Sequence, residues 1–434
     1  MGAPACQVFR PQGGTHAAAR EMAPEIETGV APAHLLTKRG EIWGENVESM
    51  RTITDTEELS AYCKVARAFD FVTVDTEFLR ETTYWPKLCL LQVATPDEAV
   101  LVDPLANGLD LGPFLELLVD ASVVKVFHAA RQDIEIFVKL SGKVPVNIFD
   151  TQAAASVCGF GDSVSYDNLV RAITGVELDK SSRFTDWSSR PLSDKQKSYA
   201  LADVTHLRDV YLKLRTQLDE TQRWSWVEDE LETLRSIDTY VVQPAHAWER
   251  LRMKLNRPRD LAALKALAAW REARAQGNDQ PRSRILKDDA LAELVVQRPL
   301  TADAFDKLRA VPRGFGRSSA AAEIIAVLKQ VEALPKGDLP EMPERYRGPS
   351  PKGAVGDLVR VLLKAVSEQH GVAARIIATS DEVDALVLDD EADVPALKGW
   401  RRKIFGDKAL ALKHGQLGLA ATRRGIVEIP ITES

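Results

Sequence analysis

The stretch FVTVDTEF at residues 71–78 decides the fold prediction for this chain. β-branched and aromatic residues dominate it, which is typical of a buried strand. Asp75 and Glu77 are two residues apart in this stretch, so both side chains point to the same face of the strand. At about 4 Å, two such charges repel by roughly 1 kcal/mol in water and about 4 kcal/mol near protein. A bound divalent cation would remove this conflict.

The pattern Asp-x-Glu occurs at two further places, and both have a simpler explanation. Asp55 and Glu57 come just before a predicted helix, where Thr54 and Glu57 fit a capping box. Asp389 and Glu391 belong to the acidic stretch DDEAD, which indicates a solvated loop. The copy at 75–77 is therefore the one that we expect to carry chemistry.

Strand and helix patterns alternate between residues 50 and 235, which predicts an α/β domain with a mixed sheet. The short connections between the first strands favour antiparallel pairing there. The predicted strands are 71–78, 88–95, 99–105, 123–130 and 147–152. The predicted helices are 111–120, 131–142 and 193–220, with Ser193 as a helix start and Gly142 as a helix end.

Further polar residues lie at the ends or on the faces of these elements. Asp133 opens the helix after the strand 123–130, and N-capping would explain an acidic residue there equally well. His128, at the end of that strand, is expected to have its hydrogen bonds satisfied. Tyr199 and Asp203 are four residues apart on the third helix and so share one face.

The rest of the chain divides into segments of different character. Residues 1–48 are rich in Ala, Gly and Pro and are predicted to be a disordered extension, with Met50 as an alternative start. From 249 to 330 the pattern is helical, with predicted helices at 260–276, 284–299, 301–311 and 318–334. The Pro/Gly-rich stretch 334–353 is expected to be a linker, and 354–420 a second helical segment.

Composition limits the classes of protein that this chain can belong to. Its 434 residues are enough for two or three domains, and 45% hydrophobic with 27% charged residues is typical of globular proteins. The sequence shows neither a long apolar run nor a secretory signal, and the four cysteines are widely spaced, so we expect a cytoplasmic protein with reduced thiols. No coiled-coil seam appears, so a monomer is expected.

Charge is unevenly distributed along the chain. The net charge is −7, yet residues 249–330 contain 17 basic and 10 acidic residues. A basic module beside an acidic metal site would produce this division, although ordinary solvated helix faces would also do so.

The motifs above, in this order, resemble those of ribonuclease D, in the tyrosine-bearing branch of the DEDD superfamily of 3′→5′ exonucleases. The three motifs match 75–77, 128–133 and 199–203, and DWSSRPLSDKQKSYALAD (186–203) resembles the family's approach to the third. The resemblance covers 50–235 and implies a ribonuclease H-like domain. Residues 249–333 resemble the HRDC domain (helicase and RNase D C-terminal), and 354–425 occupy the place of a second, divergent copy.

The resemblance also implies a cofactor and a reaction. Asp75, Glu77, Asp133 and Asp203 would hold two divalent ions, Mg²⁺ or Mn²⁺, since oxygen ligands without a Cys/His cluster suit hard cations. Tyr199 would orient or help to deprotonate the attacking water. Nucleoside 5′-monophosphates would be released from an RNA with a free 3′ end, with tRNA precursors as the usual substrate of the family.

Substrate contacts are expected from two groups of residues. In the nuclease region the candidates are Phe78, Leu79, His128, Gln132, Trp187 and Arg190, with Lys195 as a further phosphate partner. In the HRDC-like region the candidates are the basic residues Arg250, Arg252, Lys254, Arg257 and Arg259, for which a solvated face is the alternative. Two other functions stay open: a DNA exonuclease of the same superfamily, and a non-catalytic nucleic-acid-binding protein.

Overall fold

A six-stranded mixed sheet forms the centre of the first domain. The computed structural model describes residues 50–342 and 353–431. The strands are β1 Thr52–Ile53, β2 Phe71–Leu79, β3 Lys87–Ala94, β4 Ala99–Val102, β5 Val124–Phe127 and β6 Ile148–Asp150. Their order across the sheet is β1-β4-β3-β2-β5-β6. The pairs β2–β3 and β3–β4 are antiparallel, whereas β1–β4, β2–β5 and β5–β6 are parallel, which confirms the predicted mixed sheet.

Helices cover both faces of this sheet. They are α1 Thr56–Ala66, α2 Gly112–Leu118, α3 Arg131–Ser141, α4 Thr151–Val157, α5 Tyr166–Thr174, α6 Asp194–Thr221 and α7 Trp224–Arg235. One core packs α1, α2 and α3 on the sheet, and includes Leu59, Phe114 and Phe137. The other face packs against α4 to α7 through side chains such as Leu207 and Tyr211. Because β2 lies inside the sheet, its two faces meet both layers.

The predicted start and stop signals operate as expected. The side chain of Ser193 accepts the backbone N–H of Gln196, and the Gln196 side chain returns to the Ser193 backbone, forming a capping box before α6. Gly142 ends α3 with a φ of 71°, a left-handed conformation that glycine adopts without steric cost. The sequence did not predict α4 and α5, because their apolar periodicity is short.

An all-helical domain follows the nuclease domain. It contains α8 Pro258–Gly277, α9 Arg282–Ile285, α10 Asp288–Gln297 and α11 Ser319–Ala333. Two predicted helices need correction. The helix expected at 284–299 is broken into α9 and α10. The one expected at 301–311 is a 3-10 turn at Ala302–Lys307, after which Leu308 is extended.

The last helical segment ends in a β-hairpin that the sequence analysis did not predict. Its helices are α12 Ala354–His370, α13 Ala374–Ile377, α14 Ser380–Leu388, α15 Gly399–Arg401 and α16 Asp407–Lys413, with a π-helical turn at Arg402–Gly406. The strands β7 Leu417–Thr422 and β8 Gly425–Pro430 then pair antiparallel. Gly415, just after α16, and Gly425, at the start of β8, both have positive φ values, which a helix does not allow. The Ile and Val residues of β8 favour a strand.

Three further expectations concern the N-terminal extension and linker, the cysteines and membrane spans. The predicted disordered extension 1–48 and Cys6 lie outside the described residues, as do positions 343–352 of the predicted linker. The thiols of Cys63, Cys89 and Cys158 are free and buried. Among residues 50–342 and 353–431, no helix combines the length and apolar character needed to cross a membrane.

A buried polar cluster joins the HRDC-like helices to the loop between β2 and β3. The Tyr84 hydroxyl donates to the carboxylate of Glu272 on α8, and Arg282 forms a salt bridge with the same carboxylate. The Arg282 guanidinium also lies 4.6 Å from the Tyr84 ring centroid. Next to this cluster, Asp279 accepts the backbone N–H groups of Tyr84 and Trp85. Helices and nuclease loop are thus connected by specific hydrogen bonds.

Replacing Glu272 by alanine should destabilise the protein by about 3 kcal/mol, because Arg282 loses the carboxylate that neutralises it and the Tyr84 hydroxyl loses its acceptor. The matched control is Glu323→Ala, which removes a carboxylate that pairs with Arg274 in the same domain but is 46% exposed. An exposed pair contributes about 1 kcal/mol or less. Urea unfolding followed by tryptophan fluorescence measures both. Equal losses in the two variants would contradict this account of the interface.

Candidate active site

Three carboxylates converge at the centre of the nuclease domain. Asp75 and Glu77 extend from β2 and Asp203 from α6, and each offers an oxygen within 4.8 Å of the oxygens of the other two. All donors are carboxylate oxygens, the ligand type that Mg²⁺ and Mn²⁺ prefer. The residues present therefore fit a hard divalent cation.

The backbone geometry of β2 and α6 holds these groups in place. Residues 73, 75 and 77 share the face of β2 that meets α6, and the Thr73 hydroxyl donates to the carbonyl of Val204 at 2.7 Å. The pairing of β2 with β3 shifts register between Glu77 and Phe78. Such an irregularity re-aims side chains and is common beside active sites.

Asp133 lies next to this group but is not one of the three clustered carboxylates. It is the third residue of α3, and its buried carboxyl accepts a hydrogen bond from the Thr76 hydroxyl. It is not the N-cap, because that position is Ala130. Asp150 instead accepts the backbone N–H groups of Ala129 and Ala130. Asp133 is thus not an N-cap, although it does lie in the first turn of α3, where the helix dipole favours an acid.

Burial raises the pKa values of all four acids, and repulsion from neighbouring carboxylates raises those of Glu77, Asp133 and Asp203 further. Burial raises the pKa of Asp75 to about 7. Burial, and then the charges of Asp75, Asp203 and Asp133, raise the pKa of Glu77 to about 10. The pKa values of Asp133 and Asp203 rise well above their usual range for the same reasons. Without a cation, the site therefore retains protons at neutral pH.

Tyr199 lies beside the carboxylates and is uncharged. Burial, followed by the charges of Asp203, Glu77 and Asp75, raises the pKa of its hydroxyl above the ordinary value. The Trp187 ring centroid is 6.0 Å from the Tyr199 ring centroid, and Trp187 is buried. Trp187 thus packs behind Tyr199. A neutral phenol can orient a water by hydrogen bonding, but its high pKa makes it unsuited to remove a proton.

A cleft of about 350 Å³ opens beside these residues. Its lining includes Asp75, Tyr199 and Asp203, together with several residues that the sequence analysis did not single out. These additional residues include Gln152, Ser163, Ser165, Tyr166, Asp167, Lys180 and Arg183. Lys180 is paired with Asp167. Lys180 and Arg183 are basic and lie just before the segment 186–203, and this position could have predicted that they line the cleft.

The structure places the predicted substrate residues in different environments. His128 lines the cleft, and its ring nitrogens lie 3.0 Å from the Thr151 hydroxyl and 3.1 Å from the Val164 carbonyl, as expected for a satisfied histidine. Phe78 and Leu79 are half-buried and pack against cores at the end of β2. Gln132 is exposed at the start of α3.

Trp187 and Arg190 are corrected from substrate contacts to supporting residues. Trp187 is buried behind Tyr199, as described above. The Arg190 guanidinium donates to both carboxylate oxygens of Asp103 at 2.7 Å and to the Cys89 carbonyl at 2.6 Å. These contacts occupy the charge that a phosphate would need. Lys195, the further phosphate candidate, lies 3.6 Å from Asp179.

Two residues of the predicted basic run are also engaged inside the helical domain. Arg257 pairs with Asp260 at 2.8 Å. Arg259 donates to the carbonyls of Val331 and Leu334 at the end of α11. The contacts of Arg259 stabilise the domain and do not favour RNA contact through its guanidinium, whereas Arg257 is 60% exposed and stays a candidate. Arg250, Arg252 and Lys254 are exposed.

The other two Asp-x-Glu copies lie away from the site. Asp55 itself caps α1 by accepting the backbone N–H of Glu58 at 2.8 Å, so the predicted capping box of Thr54 and Glu57 is corrected. Asp389 is exposed and accepts the backbone N–H of Glu391 at 2.9 Å. Both copies have the local structural roles of turns and caps.

Comparison with known proteins agrees with this geometry. A family model described as 3′-5′ exonuclease matches residues 50–219, and an HRDC domain model matches residues 260–328. Ribonuclease D of Nitrobacter hamburgensis is 49% identical, over 88% of this chain and 99% of the relative. Ribonuclease D of Gluconacetobacter diazotrophicus is 48% identical, over 87% of this chain and 96% of the relative.

A solved structure extends the similarity to the architecture. Escherichia coli RNase D, described as an exoribonuclease involved in structured RNA processing, superposes with a TM-score of 0.74. It is 28% identical, and the match covers 85% of this chain and 99% of that one. The fold and site define a 3′→5′ exoribonuclease of the DEDD superfamily. The chain belongs to the ribonuclease D family. A second HRDC copy at 354–425 stays a prediction.

Magnesium should bind to this site with release of protons near neutral pH. The Asp75 carboxyl, with a pKa of about 7, must lose its proton to become a ligand. Glu77 and Asp203 also hold protons in the cation-free site, so the affinity should fall by at least tenfold per pH unit as the pH drops from 8 to 6. Calorimetric Mg²⁺ titrations from pH 6 to 8, in buffers of different ionisation enthalpy, measure both effects. Asp389→Asn should behave as wild type, and a pH-independent affinity would contradict the prediction.

Proposed function

We propose that the three clustered carboxylates and Tyr199 hydrolyse the last phosphodiester bond at the 3′ end of an RNA and release a nucleoside 5′-monophosphate. The observation that supports this proposal is the convergence of Asp75, Glu77 and Asp203 within 4.8 Å, in a chain of the ribonuclease D family. Asp133 is part of the proposed ligand set because its charge acts on Glu77 inside the same buried site.

We propose that Asp75, Glu77, Asp133 and Asp203 hold a pair of ions, Mg²⁺ or Mn²⁺, and the clustering of three of these carboxylates supports the proposal. When bound, such ions supply the positive charge that acidifies a water and stabilises the departing 3′ oxygen. The protein contributes rigidity, because β2 and α6 fix the distance between the ligands. It also contributes a cleft that admits the terminal nucleotide. Its buried carboxyl groups ionise when the positive charge of the cations is present.

Tyr199 orients the attacking water through its hydroxyl. Burial and the neighbouring carboxylates raise the pKa of this group in the cation-free protein and keep it protonated, which suits it to hold the water in position. Arg183 lines the cleft near the carboxylates and is the side chain that we assign to a substrate phosphate. Substrate binding by the exposed Gln132 is part of the same proposal.

The substrates that we propose are structured RNAs with a free 3′ end, tRNA precursors among them. Similarity to an exoribonuclease involved in structured RNA processing supports this choice. A cytoplasmic, monomeric enzyme is also proposed, and the buried free thiols support a reducing compartment. A trimming assay on a tRNA precursor and on matched RNA and DNA strands, with Mg²⁺ or EDTA, tests substrate and cofactor together. Preference for the DNA strand would overturn the assignment.

Asp203→Asn should lower Mg²⁺-dependent mononucleotide release by on the order of 10³-fold or more. The change removes one ligand charge from a site where the cations supply several kcal/mol of transition-state stabilisation. The fold should persist, because an amide has nearly the shape of the carboxyl group. Asp389→Asn is the matched control, since Asp389 belongs to an exposed Asp-x-Glu copy, and it should retain full activity. Wild-type rates in the Asp203 variant would refute the proposed role.

Tyr199→Phe should slow hydrolysis by about 10²-fold while leaving Mg²⁺ affinity within a factor of three. The variant keeps the ring that packs against Trp187 and loses only the hydroxyl that orients the water. Single-turnover release rates and calorimetric Mg²⁺ titration separate the two effects. If the variant lost Mg²⁺ affinity instead of turnover, Tyr199 would belong to the ligand set and not to the water-orienting role.

A further inference from the structure

Phe184 is unusually exposed for a large apolar side chain. It is 91% accessible to solvent, whereas the next most exposed large hydrophobic residue of the described chain, Val65, reaches 58%. Isolated apolar residues on a surface are common. Phe184, however, is next to Arg183, which lines the catalytic cleft. An exposed aromatic ring at the edge of this cleft is placed to contact a bound substrate.

The segment that presents Phe184 is held firmly. The backbone N–H of Thr185 donates to the Ser182 carbonyl at 3.2 Å, and the Thr185 hydroxyl donates to the same carbonyl at 2.8 Å. Ser182 is buried. The Gln196 side chain of α6 donates to the Thr185 hydroxyl at 3.2 Å. The segment that carries the Phe184 ring is therefore hydrogen-bonded to α6, the helix that carries Tyr199 and Asp203.

Arg183 connects this ring to the cleft. Its guanidinium carbon lies 5.3 Å from the Phe184 ring centroid, and its side chain lines the cleft. Within residues 50–342 and 353–431 this side chain makes no hydrogen bond or ion pair. Its positive charge opposes the raised pKa of Glu77 and Tyr199, which indicates that it lies in the electrostatic field of the site. The cation is thus available for a phosphate.

We propose that Phe184 is a stacking site for a nucleobase of the RNA strand upstream of the nucleotide being removed, with Arg183 bound to the phosphate next to that base. Every nucleobase has a π-face, so this contact does not depend on sequence. It favours a single-stranded 3′ end, because a base inside a duplex is already stacked on its neighbours. The inference rests on the proposed function and identifies how that site selects its substrate.

The test compares Phe184→Ala with Phe184→Trp, which keeps a stacking surface. Val65→Ala is the control for removing an exposed apolar side chain, since Val65 lies on α1 and does not line the cleft. Substrates are 5′-labelled single-stranded oligoribonucleotides, either natural or with one abasic residue at each of the positions two to five from the 3′ end. Phe184→Ala should raise KM by about 5- to 50-fold with kcat nearly unchanged, as expected for one lost stack. Phe184→Trp and Val65→Ala should stay within twofold of wild type.

The abasic substrates show whether the contact is to a base. At one position the abasic residue should raise the KM of the wild type and have no further effect on Phe184→Ala, because both changes remove the same stack. A separate variant, Arg183→Gln, should reduce the slope of log KM against log salt by about 0.7, the value for one phosphate contact on a single strand. A full additional KM increase at every abasic position would overturn the proposal, as would a fall in kcat alone or a wild-type KM in Phe184→Ala.

Binding measurements separate this inference from the proposed function. Asp203→Asn is expected to bind RNA while cutting it on the order of 10³-fold more slowly or less, so fluorescence anisotropy with the same oligonucleotides reports affinity alone. If the wild type releases no mononucleotide, the proposed function fails, whereas a 5- to 50-fold affinity loss on adding Phe184→Ala to Asp203→Asn would still support stacking. Unchanged affinity in that double variant would overturn the stacking site whatever the enzyme cuts.

Discussion

The burial of several carboxyl groups against one another is the constraint on which the rest of this structure depends. Asp75, Glu77 and Asp203 offer oxygens within 4.8 Å of one another inside the protein, and Asp133 adds a fourth charge nearby. Charges this close in a medium of low dielectric repel strongly, so the acids retain protons unless cations neutralise them. A chain that keeps such a cluster must therefore provide a frame rigid enough to hold the carboxyl groups together when they become ionised.

The sheet and α6 provide that frame. β2 pairs antiparallel with β3 along residues 73–79, which include Asp75 and Glu77, and parallel with β5 along residues 71–73, so the strand as a whole cannot move without breaking two ladders. α6 is attached to β2 by the bond from Thr73 to the Val204 carbonyl, and its start is fixed by the capping box at Ser193. Rigid elements position catalytic groups better than loops. The carboxylates come from strand and helix, whereas the cation Arg183 comes from the connecting segment.

Periodicity explains why part of the site was predictable from the sequence. A spacing of two on a strand and of four on a helix places Asp75 with Glu77, and Tyr199 with Asp203, whatever the rest of the chain does.

Other parts of the site and fold depend on contacts that the sequence does not show. Arg190 was assigned to substrate because the sequence shows a cation but not its partner. That partner, Asp103, is 87 residues away in the chain and is identified only by tertiary structure. Arg183 was missed because it lies in a segment without periodicity. The hairpin of β7 and β8 was missed because it comes directly after an apolar helical segment in the chain. No long Pro/Gly-rich stretch separates the two in the sequence.

The contact between the HRDC domain and the nuclease changes how the helical domain relates to the site. Sequence assigned this domain to RNA affinity, yet Asp279 holds the backbone of Tyr84 and Trp85, in the loop that directly follows β2. On the other side of the loop, Arg80 makes two hydrogen bonds to Glu135 of α3, the helix that carries Asp133. The loop after the catalytic strand is thus fixed by the helical domain at one end and by α3 at the other. Because these bonds set the distance between the two domains, an RNA segment bound by the helices would approach Asp75 and Glu77 along a path of defined length.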